Sequence, residues 1–419
     1  MRQFFKRMGL ALLAAALCAQ PALTQKALTW QEIRSRFEAE NPSLRAGQIG
    51  VEESRAAETT AYLRPNPNLA ISADQINPFP GGPPHGTFAF FFPLANVTYL
   101  HERQHKRELR QASAQDATKI SISAQADLER TLLFTLRTAF VGTLQGKAVL
   151  QLARENLAYY DRVLEVNRDR YKAGAIAQVD MDRLELQRVQ YEADLQAAEV
   201  GLRTAKIQLL ALLNDRTPVE QFDVTGPYDF SSRMGGLDDM RQAAVDTRPD
   251  LRAALQAVDK AKMDHQLAFA NGSTDPTFGF DFGRNPPIDQ YFGFSVSFPL
   301  RFFDRNQGEK LRTQLDIGRN QRLMEATRAQ VFSDVDSAYA TVQSTVILLQ
   351  PYRDRYLQQA ARVRDTIAFS YQHGAASLLD FLNAQAEYRT VQLSYLNLIA
   401  SYLEAANQLN LAVGREVIQ

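Results

Sequence analysis

The stretch RYKAGAIAQVDMDRLELQRVQYEADLQAAEVGLRTAKIQLLALLND, Arg170 to Asp215, aligns without a gap on SYQHGAASLLDFLNAQAEYRTVQLSYLNLIASYLEAANQLNLAVGR, Ser370 to Arg415. The offset is 200 residues: Tyr171 falls on Tyr371, Gly174-Ala175 on Gly374-Ala375, Asp180 on Asp380 and Leu209 on Leu409. An internal repeat of this length means one structural unit used twice. Each unit reads as two short strands and three helices, one of the helices too long for a compact domain.

Working outward, residues 25–213 form the first repeat, 214–235 a Pro, Gly, Asp and Ser-rich linker expected on the surface, and 236–419 the second repeat. In the first, Trp30 to Tyr62 reads as a short turn and a helix broken at Pro42, stopped by Pro65-Asn66-Pro67. Strands are expected at about 68–74 and 87–94. From about Ala95 to Lys172 no proline intervenes, and a continuous helix of that span would be about 115 Å long. A second helix is expected from about Val179 to Leu213. The second repeat follows the same order: a helix from Gly236 to Ala270, strands at about 277–283 and 291–300, a long helix from about Asn306 to Gln372 and a last one from about Leu378 to Val413.

The strands alternate. Phe278, Phe280 and Phe282, then Phe292, Phe294, Val296 and Phe298, point one way, with Gly, Ser and Asp between them. Leu69, Ile71 and Ala73, and Phe88, Phe90 and Phe92, show the pattern more weakly. An aromatic face opposite a small or polar face is the pattern of a membrane barrel strand, lipid outside and water within. Four strands cannot close a barrel, and an open edge cannot sit in lipid. Several copies must complete the wall, and three would give twelve strands. The helices carry heptad seams: Tyr191, Leu195, Ala198, Leu202, Ala205, Leu209 and Leu212, and 200 residues on Val391, Tyr395, Leu398, Tyr402, Ala405, Leu409 and Ala412. The economical arrangement stacks the two shorter helices of a unit end to end along the long one.

The address is legible too. Residues 1–24 read as an export signal, with Arg2, Lys6 and Arg7 before the apolar run Met8 to Cys18. Without those three charges, 44 of the 47 basic groups face 47 acidic ones, and nothing there suggests nucleic acid. The single cysteine, Cys18, follows Leu17 where a lipoprotein site needs a small residue, so it reads as part of the signal. No later segment is long and uncharged enough for a transmembrane helix. There is no phosphate loop, zinc signature or nucleophile elbow, so no enzyme and no cofactor are expected. His101 and His105, spaced i,i+4 near the start of the long helix, make an incomplete metal pair and read as a solvated face. Trp30 reads as a packing residue.

On these residues the mature chain resembles the TolC family of outer-membrane efflux ducts over its whole length. Phe298-Pro-Leu-Arg-Phe-Phe-Asp-Arg-Asn-Gln-Gly308 is similar to the signature after the second hairpin in the CzcC-like heavy-metal branch. The resemblance implies a mainly α fold with a small membrane β part, a homotrimer with a 12-stranded barrel in the outer membrane and a periplasmic α-barrel. Its implied partners are a periplasmic adaptor, an inner-membrane pump of the resistance-nodulation-division type and outer-membrane lipid. Tyr171, Gly174, Ala175, Tyr371, Gly374 and Ala375 match the periplasmic tip that meets the adaptor. Asp180 and Asp380 match acids at the constriction, where threefold carboxylate rings favour cations; as first-turn acids they also suit a helix dipole. Ala376 stands where a gating arginine is found, and Asn383 replaces a second acid. The expected role is passive exit of substrates, heavy-metal cations among the candidates. Drug efflux or type I secretion through the same fold is the alternative, and a periplasmic adaptor or structural coiled coil is the rival from another class.

Overall fold

The computed structural model describes residues 27–74, 92–285 and 288–418. The export signal with Cys18, the whole tip of the first hairpin, and Phe88 and Phe90 lie outside these residues. The chain is a bundle of very long helices with one small sheet at one end. In order, α1 (Trp30–Glu40), α2 (Pro42–Tyr62), β1 (Asn68–Asp74), β2 (Phe92–Leu100), α3 (Lys106–Lys172) and α4 (Gln178–Leu212) are followed by α5 (Leu237–Thr247), α6 (Pro249–Asn271), β3 (Thr277–Asn285), β4 (Ile288–Ser297), α7 (Gln307–Pro351), a π turn at Tyr352–Tyr356, α8 (Leu357–Gln372) and α9 (Leu378–Val413).

Local chemistry explains these boundaries. Thr29 and Glu32 form a capping box at α1, and Asn41 caps α2 by accepting from the amides of Ser43 (2.9 Å) and Leu44 (3.1 Å). What looked like a turn before Pro42 is therefore a helix of 11 residues. Its counterpart, expected as one helix from Gly236, is likewise two, because Pro249 starts a new helix as its N1 residue. Helix α3 begins at Lys106, well after Ala95. The β-branched and aromatic residues Val97, Thr98 and Tyr99 continue β2 to Leu100, and left-handed Gln104 (φ 60°) and His105 (φ 53°) make the corner. His101 thus lies outside the helix and His105 caps it, so the two share no helical face. The second long helix carries Pro351, whose missing N–H interrupts the hydrogen-bond ladder, and the π turn follows directly.

The short helices stack as pairs beside the long ones. Asn41, ahead of α2, donates from Nδ2 to the carbonyl of Leu212 at the end of α4 (3.1 Å). In the second unit the same junction is made by Thr247, whose hydroxyl donates to the carbonyl of Val413 (2.6 Å), and by Arg248, which reaches that of Ala412 (3.2 Å). Arg248 is 5% exposed and pairs with Asp334 (2.9 Å) and Asp250 (2.6 Å). Burial opposes its charge, yet the two carboxylates outweigh that and hold its pKa above the ordinary value. The heptad seams turn inward: Tyr191, Ala198 and Leu209, and Tyr402, Ala405, Leu409 and Ala412, are buried.

Two apolar cores sit at mid-length. One gathers Ile33, Phe37, Leu136, Phe140 and Leu209; the other Val331, Val335, Val342, Ile399, Tyr402 and Leu409. Residues 214–235 are not a surface linker throughout. Phe222 and Val224 fill the first core and Phe230 the second, while Val224 forms a parallel bridge with Leu28. The apolar residues Phe222, Val224 and Phe230 in that polar stretch are what the composition concealed.

Candidate functional site

At one end, the four strands form an antiparallel meander in the order β1-β2-β3-β4, leaving β1 and β4 as open edges. The register puts Leu69, Val97, Phe280 and Phe294 in one cross-strand row, and pairs Phe278 with Val296 and Phe282 with Phe292. These side chains are exposed, Phe294 at 85%, and the phenylalanines of β3 and β4 touch one another with ring centroids 5.3 to 5.9 Å apart. The opposite face carries Thr98, Gly279 and Ser295 in one row and Asn96, Asp281 and Gly293 in the next, with Asn96 donating to Asp281. A soluble protein rarely leaves so large an apolar surface open.

Two strand expectations shift. Phe92 takes the register position opposite Asp74, in the alternate set that includes Asn96 and not that of Leu69 and Ile71. Strand β4 ends at Ser297, so exposed Phe298 lies one residue beyond it.

At the far end, α3 is long enough to place its last turn about 100 Å away. Both reversals have the same build. Gly174 (φ 74°) and Gly374 (φ 76°) adopt the left-handed conformation, and the amides of Ala175 and Ala375 return to the carbonyls of Arg170 and Ser370, each at 2.8 Å. Asp180 and Asp380 both sit in the first turn of the following helix. Asp380 is exposed and forms a capping box with Ser377, whose hydroxyl donates to it at 2.7 Å. That hydroxyl and the Ser377 amide hold the carboxyl below its usual pKa. Asp180 follows Ala177, which supplies no side-chain cap.

The two tip tyrosines part company. Tyr171 is 40% exposed, and its hydroxyl donates to Gln178. Tyr371 is 7% exposed, stacks on Phe381 (5.0 Å, 21°) and donates its hydroxyl to Asn167 Oδ1 across the two hairpins (3.2 Å). Burial raises its pKa. The Tyr371 ring is buried, while Gly174, Ala175, Gly374 and Ala375 are exposed. The hairpins are joined further by Arg389, which reaches Asp194 (3.1 Å) and lies over the ring of Tyr191 (5.1 Å). Asn167, Asp194 and Arg389 escaped the sequence reading because it followed matched positions. Their counterparts are Ile367, Ser394 and Val189, so departures from the repeat were the available signal.

Among the described residues no group of three or more His, Cys, Asp or Glu could hold a metal ion, and no helix is long and apolar enough to cross a membrane.

Known proteins share this build. Residues 240–415 match the family described as "Outer membrane efflux protein". The cobalt-zinc-cadmium resistance protein CzcC of Cupriavidus metallidurans is 21% identical over 327 residues, covering 74% of each chain. The pyoverdine export outer membrane protein OpmQ of Pseudomonas aeruginosa is 24% identical over 324 residues, 74% of this chain and 66% of that one. A crystal structure of CusC superposes with a TM-score of 0.78 at 17% identity, over 94% of this chain and 96% of the other.

Proposed function

We propose that this chain, an outer membrane efflux protein, is the passive exit duct of a three-part efflux assembly. Three copies join their sheets into a 12-stranded barrel, and their helices continue it as a periplasmic tube. One observation carries the reading: a four-stranded sheet with an exposed aromatic face and both edges unpaired. Unpaired backbone groups cost several kcal/mol each in hydrocarbon, so only a closed wall places that face in lipid. The polar Asn96–Asp281 face then lines water. The exposed glycine turns meet a periplasmic adaptor, and an inner-membrane pump drives the cargo. No catalytic step is involved.

Similarity to CzcC and the Phe298–Gly308 segment support heavy-metal cations as cargo; similarity to OpmQ supports a small organic molecule. A water-filled passage accommodates both, and the pump makes the choice. Asp180 and Asp380, repeated three times, narrow the tip and favour cations. Planar-bilayer recording tests both parts. The purified protein should give discrete conductance steps, and Asp180→Ala with Asp380→Ala should enlarge them and weaken cation preference. Absence of steps contradicts the duct; unchanged steps and selectivity contradict the acidic constriction.

A further inference from the structure

We propose that Phe298–Arg305, the segment between β4 and α7, is a lipid-interface anchor that seats its aromatic rings among the acyl chains and its arginines against glycerophospholipid phosphates of the periplasmic leaflet. The proposal rests on the barrel reading above. This segment holds a dense group of exposed apolar residues: Phe298 (57%), Leu300 (68%), Phe302 (68%) and Phe303 (93%). Exposure on this scale in an ordered loop calls for a partner.

The loop is held in shape rather than left slack. Asp304 accepts from the amide of Asn306 (2.8 Å), Gln307 Oε1 accepts from that of Arg305 (2.8 Å), and Gln307 Nε2 donates to the carbonyl of Phe303 (3.1 Å). Asn306 ties it to α6 by donating to the carbonyl of Ala268 (2.7 Å). Phe303 is therefore presented outward by a braced backbone.

Three features select lipid over other occupants. The segment directly continues β4, whose exposed row Phe292, Phe294 and Val296 is the proposed hydrocarbon face. It lies at the boundary between sheet and helices, where Tyr62 and Leu63 before β1 and Phe269 before β3 are also exposed. Cations accompany these rings: Arg107 lies over Tyr62 (4.4 Å) and Lys310 over Phe269 (4.9 Å). In the loop itself Arg301 and Arg305 flank the two phenylalanines, and Arg301 Nε is shielded from water with no hydrogen-bond partner among the described residues. Aromatic rings beside guanidinium groups match the chemistry of a headgroup layer, rings below and phosphates above.

The test uses the full-length protein in vesicles of phosphatidylethanolamine and phosphatidylglycerol, with Trp30→Phe removing the native indole. Phe303→Trp reports on the loop and Phe294→Trp on the barrel face. Lipids brominated near the glycerol end of the chain should quench the indole at position 303 several-fold more than aqueous iodide does. Lipids brominated near the chain terminus should quench it less than they quench the indole at position 294. Quenching at 294 with only iodide quenching at 303 overturns the anchor and leaves the barrel standing. Shielding of 303 from both quenchers also overturns it, and shows that a second copy covers the loop. Loss of lipid quenching at both positions overturns the barrel reading itself. Adding Arg301→Gln and Arg305→Gln should shift quenching at 303 toward iodide; no shift overturns the phosphate contact.

Discussion

Replacing Tyr371 by Phe should make the far tip open more readily without unfolding the tube. The ring and its stack on Phe381 survive, and only the hydroxyl that donates to Asn167 Oδ1 at 3.2 Å disappears. A hydrogen bond of this kind contributes about 1 kcal/mol net. Asn167 is 3% exposed, and its Nδ2 bond to the carbonyl of Val163 does not satisfy Oδ1, so the stranded acceptor makes about 1 kcal/mol the lower end of the cost. The lost bond joins the two hairpins, and on the proposed duct reading widening the tip separates them. A penalty of about 1 kcal/mol on the closed arrangement alone raises the open-to-closed ratio about fivefold. Tyr160→Phe supplies the control, because the Tyr160 hydroxyl donates to the Leu184 carbonyl (2.9 Å) within a single hairpin. Single-channel recording of both variants should show a roughly fivefold rise in open occupancy for Tyr371→Phe and none for Tyr160→Phe, at similar cost in thermal stability. Equal effects of the two substitutions, or lower stability with unchanged gating in Tyr371→Phe, would refute the claim that this contact holds the tip shut.

Three further outcomes follow from the same geometry. Gly374→Val should lower the melting temperature through about 1–2 kcal/mol of left-handed backbone strain, while Gly374→Asn should cost less, since open space surrounds the site and only the backbone objects. Arg248→Met should destabilise the helix junction by about 2 kcal/mol in a denaturant titration, because Asp250 and Asp334 lose a buried partner yet remain partly solvated. Ser377→Ala should return the Asp380 pKa upward toward the ordinary aspartate value. With the folded value depressed, the capping box contributes at neutral pH and is lost as pH falls through that lowered value. Hydrogen exchange of the first-turn amides of α9 should therefore show protection failing at higher pH in the variant.

Much of this architecture could be read from the chain because long-range order here is built from local periodicity. Heptad spacing set the inward faces of α4 and α9, and Gly-Ala with an acid six residues after the glycine located both reversals. The misreadings cluster where local signals compete. The lack of any proline between Ala95 and Lys172 masked the continuation of β2, and the corner at Gln104-His105 uses left-handed residues other than glycine, which no pattern announces. The burial of Phe222 and Phe230 depends on neighbours distant in sequence. The contacts that join the two hairpins, Tyr371 with Asn167 and Arg389 with Asp194, arise where the repeats differ.

The most direct measurement is edge pairing between copies. One cysteine on β1 and one on β4 of each chain, with no other cysteine present, should oxidise in lipid nanodiscs to species containing three chains and no more, with β1 of one copy joined to β4 of the next. A purified single chain that inserts stably in the nanodisc, with those cysteines unreactive toward one another in every register, would contradict the shared barrel wall.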